Sequence, residues 1–345
     1  MDLNKLKTVL KDEPAYRLRQ AEELIFKQLI EDWSEAQSLP MALRQKLKND
    51  FPLSTESAVK FLESKDAVKA VIAFSDGVKV ETVLMRHKDG RNTICVSSQA
   101  GCPMGCVFCA TGKGGFKRNL SASEIVWQIL FFARRLKITG ERIDNVVFMG
   151  MGEPFLNYDA VMEAVRLINS KDGFNIGARH ISISTVGVVE GIEKLADEPI
   201  QVNLAISLHA PNDALRSRIV PANKKYPINN ILWAVYGYVK KTNRRVMFEY
   251  IMIDGVNDSD DNARELAALI KKRLSLKLVF VNLITYNPTG DFKPSNRDRV
   301  KKFREIIDKE NVETTERYRF GREIKAACGQ LANRDVNDKT KTQRL

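Results

Sequence analysis

The 345-residue sequence predicts an α/β protein built on a parallel sheet with crossover helices, preceded by a small helical domain and a β-hairpin. Two observations carry this. Six runs with strand character follow one another from residue 93, at 93–97, 143–149, 179–185, 202–208, 246–253 and 278–285. Stretches with helical period separate most of them, at 122–136, 158–169, 228–241, 260–274 and 297–308. Strands that alternate with helices form parallel sheets, because each crossover is long enough to be a helix. Periodicity does not decide whether such a sheet closes into a barrel.

The N-terminal elements differ in period. Residues 1–62 read as helical: between Tyr16 and Trp33, the residues Leu18, Ala21, Leu24, Ile25, Leu29 and Ile30 fall near one face. Pro40 is placed at or near the first turn of the next helix. Residues 70–74 and 78–85 then form strand-like runs around Ser75-Asp76-Gly77, a hairpin signal. The expected organisation is a helical accessory domain at 1–65, a β-hairpin linker at 66–92, a core at 93–332 and a disordered tail at 333–345.

A hydrophobic content of 44% with 28% charged residues is ordinary globular composition and excludes disorder over most of the chain. No apolar run approaches the ~20 residues needed to cross a bilayer, and the start lacks the apolar core of a signal peptide. A cytoplasmic protein without a membrane partner is therefore expected. Lys plus Arg number 55 against 43 Asp plus Glu, a net charge of +12. Residues 1–60 hold ten basic and ten acidic side chains, so the excess lies in the remainder. Clusters such as Arg134-Arg135-Lys137, Arg244-Arg245 and Arg317-Arg319-Arg322-Lys325 point together to RNA or DNA contact.

In parallel α/β folds the chemistry sits at the carboxyl ends of the strands. There the sequence places a cysteine cluster, Gly150-Met151-Gly152-Glu153-Pro154, Ser184, His209 and Asn287. Of five cysteines, Cys102, Cys106 and Cys109 fall within eight residues, while Cys95 and Cys328 stand apart. Three readings compete for the triad. Structural zinc takes four ligands, and no fourth Cys or His lies nearby. Inert buried thiols are seldom so concentrated. An iron–sulfur cubane usually takes four thiolates, and three would leave one iron open to a substrate or cofactor. The glycine motif begins like a dinucleotide fingerprint but has Phe155 where the third glycine belongs.

The spacing Cys-x-x-x-Cys-x-x-Cys, with Phe108 before the last cysteine, resembles the radical S-adenosylmethionine (SAM) superfamily. The segments VETVLMR, CVSSQAGCPMGCVFCATG, FMGMGEPFLN, ISISTVGV, NLAISLHAPND, VNLITYNP and AACGQLA are similar to the RlmN family of adenosine carbon-2 RNA methyltransferases, over about residues 4–332. The resemblance implies a partial (β/α)6 barrel of the radical SAM type. It implies Cys102, Cys106 and Cys109 as ligands of one 4Fe–4S cluster. Glu153, Pro154, Ser184, Ser207, Leu208, His209 and Asn287 match SAM contacts, Glu153 pairing with the methionyl ammonium. Cys328 matches a cysteine that is S-methylated, Cys95 its transient disulfide partner, and Glu81 a proton acceptor.

The chemistry so implied uses two SAM molecules per turnover. Cys328 takes a methyl by polar displacement; a radical from reductive cleavage of the second SAM removes a hydrogen from that methyl. The carbon then adds to electron-poor adenine carbon 2, and Cys95 resolves the adduct. The implied partners are 23S rRNA at the peptidyl-transferase centre, tRNA at the adenosine 3′ of the anticodon as a second candidate, a flavodoxin-type electron donor and a thioredoxin-type reductant. Three alternatives are carried with this reading. They are Cfr-type carbon-8 methylation, against which Glu153-Pro154 speaks, a radical SAM enzyme acting on a protein or small molecule, and a zinc-containing RNA-binding protein.

Overall fold

The computed structural model describes residues 3–53, 58–290, 292–332 and 341–344. The chain opens with helices α1 (Leu3–Val9), α2 (Tyr16–Phe26) and α3 (Met41–Asp50), the last begun by Pro40 at its N-cap. Helix α2 stops short of Trp33 because the chain turns at Leu29, whose φ is +55°. Ile30 and Trp33 stay buried beyond the turn, so the apolar period outlasts the helix. Strands β1 (Ala58–Glu63), β2 (Ala67–Ala73) and β3 (Lys79–Arg86) follow. The expectation of helix up to residue 62 is thus corrected: Val59 to Glu63 pair antiparallel with β2, a partner that local periodicity does not reveal. The hairpin at Ser75–Gly77 forms as expected, with Asp76 accepting from the Val78 amide and Gly77 at φ +78°.

Next come β4 (Asn92–Cys95), β5 (Gln99–Gly101), the short α4 (Ala110–Lys113), β6 (Phe116–Asn119) and α5 (Ala122–Ile138). From there strand and helix alternate: β7 (Asn145–Phe148), α6 (Tyr158–Asn169), β8 (Ile181–Thr185), α7 (Val189–Asp197), β9 (Asn203–Ser207), α8 (Asp213–Ile219), α9 (Ile228–Thr242), β10 (Val246–Met252), α10 (Asp260–Lys271), β11 (Val279–Thr285), α11 (Arg297–Lys309) and β12 (Thr314–Glu316). A last strand, β13 (Lys341–Arg344), pairs antiparallel with β1. Of the tail expected at 333–345, residues 333–340 and 345 lie outside the described residues, and 341–344 are strand.

The sheet runs β12-β11-β10-β9-β8-β7-β4-β3-β2-β1-β13. All six expected core strands are present and mutually parallel, with β12 added beyond β11. The hairpin strands continue the same sheet antiparallel from β4. Side chains from β3, β4, β10 and β11 meet in one interior, as described below, so the sheet curves around it as a partial barrel. Apolar residues of β7 to β11 fill the core with those of the surrounding helices.

The basic cluster on α5 serves the fold. Arg134 donates to the Ile30 carbonyl and lies over the Trp127 ring, and Lys137 donates to the Gln28 carbonyl at 2.6 Å. Arg135 stacks 4.2 Å from the centroid of Phe61. Arg134 and Lys137 thus fasten the segment after α2 to the barrel, and Arg135 fastens β1. Arg244 and Arg245 also depart from the expectation of nucleic-acid contact. They precede β10, hence lie at the amino end of the sheet, opposite the cysteines. Arg244 donates to the Ile200 carbonyl and Arg245 pairs with Glu313.

Candidate active site

The carboxyl ends of the parallel strands carry the cysteine loop, the 150–154 motif, Ser184, His209 and Asn287. Loop 96–99 after β4 is held by Gln128 of α5, whose amide exchanges bonds of 2.8 and 2.9 Å with the Ser97 backbone. The glycine motif after β7 packs on this loop. A Cβ on Gly152, at φ +106°, would lie 2.6 Å from Gln99 Cβ, so the glycines permit close approach of two loops.

Glu153 follows. Its carboxylate accepts from the Val186 amide at 2.8 Å and the Phe155 amide at 3.1 Å, and its own amide donates to Gln99. Burial pushes its carboxyl up to about 7, against these hydrogen bonds. A buried carboxylate without a cation is poised for a cationic ligand. Ser184 and Ser207, from the ends of β8 and β9, lie hydroxyl to hydroxyl at 3.3 Å. His209 takes a left-handed backbone, φ +63°, and its Nδ1 accepts from the Ile251 amide. Burial and the nearby Arg216 cation push it down to about 3, so it is neutral.

Free ligand-less protein should register the Glu153 carboxyl as a pH-dependent stability. A carboxyl raised in the folded state favours folding below about pH 4.5, and that contribution is lost as pH rises through about 7. The contribution is on the order of 3 kcal/mol. Glu153→Gln is expected to flatten the fall in denaturation midpoint between these values. An unchanged pH profile in the variant would contradict the shift.

Two arginines that sequence reading did not assign to the site, one buried and one half-buried, organise this end. Arg216 is fully buried and donates to the carbonyls of Leu208 (2.9 Å), Tyr226 (2.9 Å), Val186 (2.5 Å) and Ser207 (3.2 Å), and to Asn223 Oδ1 (2.7 Å). It locks the loops after β8 and β9 together. Arg317, read only as part of a basic cluster, turns inward. It pairs with buried Glu249 at 3.0 Å and reaches Met149 Sδ, while Glu249 also accepts from Asn282. No local signal could have marked Arg216, because most of its partners are backbone carbonyls of distant loops.

The triad lies in the loop from Cys102 to Cys109, between β5 and α4. Burial raises Cys102 to about 12, and raises Cys106 well above the ordinary thiol value with its neighbouring thiols adding to the effect. Phe108 sets its ring edge-on to His209, centroids 5.0 Å apart, joining this loop to the Ser207-Leu208-His209 stretch. Among the described residues no three His, Cys, Asp or Glu side chains are placed to hold one metal ion. Three thiols on one loop with no fourth Cys or His suit a cubane, which takes one thiolate per iron.

The segment around Cys328 is stitched to that loop. Ala110 N donates to Gly329 O at 2.8 Å, Thr111 Oγ1 to Leu331 O at 2.6 Å, and Thr289 ties the Phe108 carbonyl. Asn287 donates to the Cys328 carbonyl at 3.1 Å and accepts from Arg319. One cavity is lined by Cys95, Met149, Asn287, Arg317 and Cys328, with Val83 and Met85 of β3. Both thiols are free; Cys328 is exposed, while burial raises Cys95 to about 12, with Cys328 adding and Arg317 opposing. Glu81 lies on the same face of β3 as Val83 and Met85. It is buried, not the solvated strand charge an isolated reading allows. Its carboxylate stands 3.7 Å from Lys69 Nζ and accepts from the Ala332 amide.

Arg317 is the cation facing both thiols, so its loss should raise them further. In Arg317→Met the rate of Cys328 alkylation by iodoacetamide at neutral pH is expected to fall several-fold, its pH midpoint moving upward. An unmoved midpoint would remove Arg317 from thiolate stabilisation.

This sheet, with a cysteine triad on the loop after its first parallel strand, defines a radical SAM protein, and the Radical SAM superfamily model matches residues 96–267. Two relatives named as probable dual-specificity RNA methyltransferases RlmN align over nearly the whole chain. The one from Dictyoglomus thermophilum is 45% identical over 96% of this chain and 94% of its own, and that from Caldicellulosiruptor saccharolyticus 47% over 94% and 93%. The crystal structure of a radical SAM methyltransferase from Sphaerobacter thermophilus superposes with a TM-score of 0.90 at 45% identity, over 96% of this chain and 97% of that one. The chain belongs to the RlmN family. Among the described residues no helix is long and apolar enough to cross a membrane.

Proposed function

We propose that this protein is a cytoplasmic radical SAM RNA methyltransferase that places a methyl group on carbon 2 of an adenosine. Its substrate is 23S rRNA at the peptidyl-transferase centre, with tRNA at the adenosine 3′ of the anticodon as the second candidate. The observation that carries the reading is the meeting of two thiols beyond the triad, Cys95 and Cys328, at one cavity bound to the triad's own loop. A radical SAM enzyme without a thiol intermediate has no use for that pair.

Cys102, Cys106 and Cys109 would hold the 4Fe–4S cluster, which when bound supplies the open iron and the low-potential electron that cleave SAM. Glu153 receives the methionyl ammonium, with Pro154, Ser184, Ser207, Leu208, His209 and Asn287 bordering the ligand. Cys328 is the methyl acceptor: its exposed sulfur attacks the sulfonium methyl, and the sulfonium leaves as thioether. Cys95 stays protonated until a base takes its proton; its thiolate then attacks the Cys328 sulfur and breaks that sulfur's bond to the methylene carbon on the base, which leaves with the electron pair, takes up a proton and becomes the methyl group, with a Cys95–Cys328 disulfide left behind. A thioredoxin-type reductant reopens it, and a flavodoxin-type donor supplies electrons. Glu81, on the cavity face of β3, is assigned the proton from carbon 2.

The test is direct. Protein reconstituted anaerobically with iron and sulfide is given SAM, a low-potential reductant and rRNA lacking the modification, and nucleosides are identified by mass spectrometry. 2-Methyladenosine is the expected product. 8-Methyladenosine would transfer the protein to Cfr-type chemistry. Zinc without iron or sulfide in the anaerobically purified protein would favour a zinc-containing RNA-binding protein.

A further inference from the structure

Residues 317–320 pass the rim of the cavity with alternating side chains. Arg317 and Arg319 turn inward, to Glu249 and Asn287. Tyr318 and Phe320 turn to the other side and still line the cavity that holds Cys95 and Cys328. Phe320 packs edge-on against His87, centroids 4.8 Å apart, and Tyr318 edge-on against Phe320 at 4.7 Å. Tyr318 is 56% exposed, and Lys88 Nζ stands 5.9 Å from its ring centroid. Arg322 and Lys325 are exposed on the turn that follows, with Glu323 between them. An aromatic ring braced by Phe320, itself backed by His87, yet open to solvent at a cavity with two free thiols, contributes little to the core.

We propose that Tyr318, backed by Phe320 and His87, is a stacking platform for the RNA nucleobase next to the adenosine that enters the cavity, with Lys88 against the adjoining phosphate. The inference rests on the RNA methyltransferase reading above. A base drawn from its stack leaves its neighbour with an uncovered face. Aromatic side chains cover such faces for any base, while lysines hold phosphates without reading sequence. The platform therefore adds affinity for an unpaired, splayed strand and not for a particular flanking base.

The experiment measures binding of a fluorescently labelled RNA stem-loop, with an unmodified adenosine in its loop, over a series of potassium chloride concentrations. Tyr318→Ala is expected to raise Kd about tenfold at every salt concentration, leaving the salt slope unchanged. Tyr318→Phe should bind as the unsubstituted protein does, and Lys88→Gln should reduce the slope by about 0.7–0.9. Trp233→Ala removes an aromatic of matching exposure, 53%, from helix α9 and should leave Kd unchanged. Thermal unfolding of each variant separates a lost contact from a lost fold. Tyr318→Ala within about twofold of the unsubstituted protein, or Tyr318→Phe as weak as Tyr318→Ala, overturns the platform while leaving the RNA reading standing. Failure of the unsubstituted protein to bind the RNA overturns both.

Discussion

Replacing Cys328 by alanine is expected to abolish RNA methylation, by at least about four orders of magnitude, with the fold intact. The side chain is exposed, so the substitution should change stability by no more than about 0.5 kcal/mol. Under the proposed function, its loss removes the thiol that takes the methyl at the cavity it shares with Cys95. Cys95→Ala should behave differently, because in the proposed sequence Cys95 acts last. The methyl carbon would still join the base, and a covalent protein–RNA adduct should accumulate up to about one equivalent, seen as a band shifted on denaturing gels and lost on RNase treatment. Methylation by Cys328→Ala, or rapid release of product by Cys95→Ala, would break the assignment of the two thiols. Glu81→Gln by itself separates the bases: unaltered turnover there, with cross-linked RNA still accumulating in Cys95→Ala, would take the carbon-2 proton away from Glu81.

The second large effect is on stability. Arg216→Met should destabilise the protein by about 3–5 kcal/mol, since it leaves buried carbonyls of four residues and the Asn223 amide oxygen without their donor. The unfolding temperature should fall by about 4–7 °C. Lysine should recover little, because one ammonium cannot span acceptors that a planar guanidinium reaches together. A second readout separates positioning from mere packing. The loops after β8 and β9 carry Val186, Ser207 and Leu208, so SAM affinity measured by calorimetry well below the melting point should drop as well. A melting temperature within about 2 °C of the unsubstituted protein would show that water replaces the guanidinium at those carbonyls.

Periodicity located the six core strands because each is a short run with strand character bounded by polar loops; β10 and β11 are buried along most of their length, while β7 and β8 alternate between buried and half-buried positions. It also located most of the helices between them. It overran at α2 and at β1. Leu29 turns the chain while the apolar spacing continues through Ile30 and Trp33, and β1 is a strand because β2 lies beside it. The cysteine triad was legible because its three ligands are contiguous, and a loop of eight residues needs no tertiary structure to bring them together. Cys95, Cys328 and Glu81 were legible through resemblance alone, being separated by as many as 247 residues.

Charge was the least legible property. The basic excess pointed to a polyanion, yet Arg134 and Lys137 bind carbonyls of the segment after α2, Arg216 holds loop carbonyls and Arg317 faces Glu249. Arg244 and Arg245 lie at the end of the sheet away from the thiols. The sequence by itself determined the order of strands and helices, the thiol triad and the family motifs, since each is written in neighbouring residues. Tertiary structure decided which cations face solvent, that the segment after Arg317 brings Cys328 to the cavity Cys95 lines, and that an exposed tyrosine stands at its rim. The physical reason is that a side chain's spacing along the chain is local, whereas its charge, burial and hydrogen-bond partners are set by whatever backbone the fold carries to it.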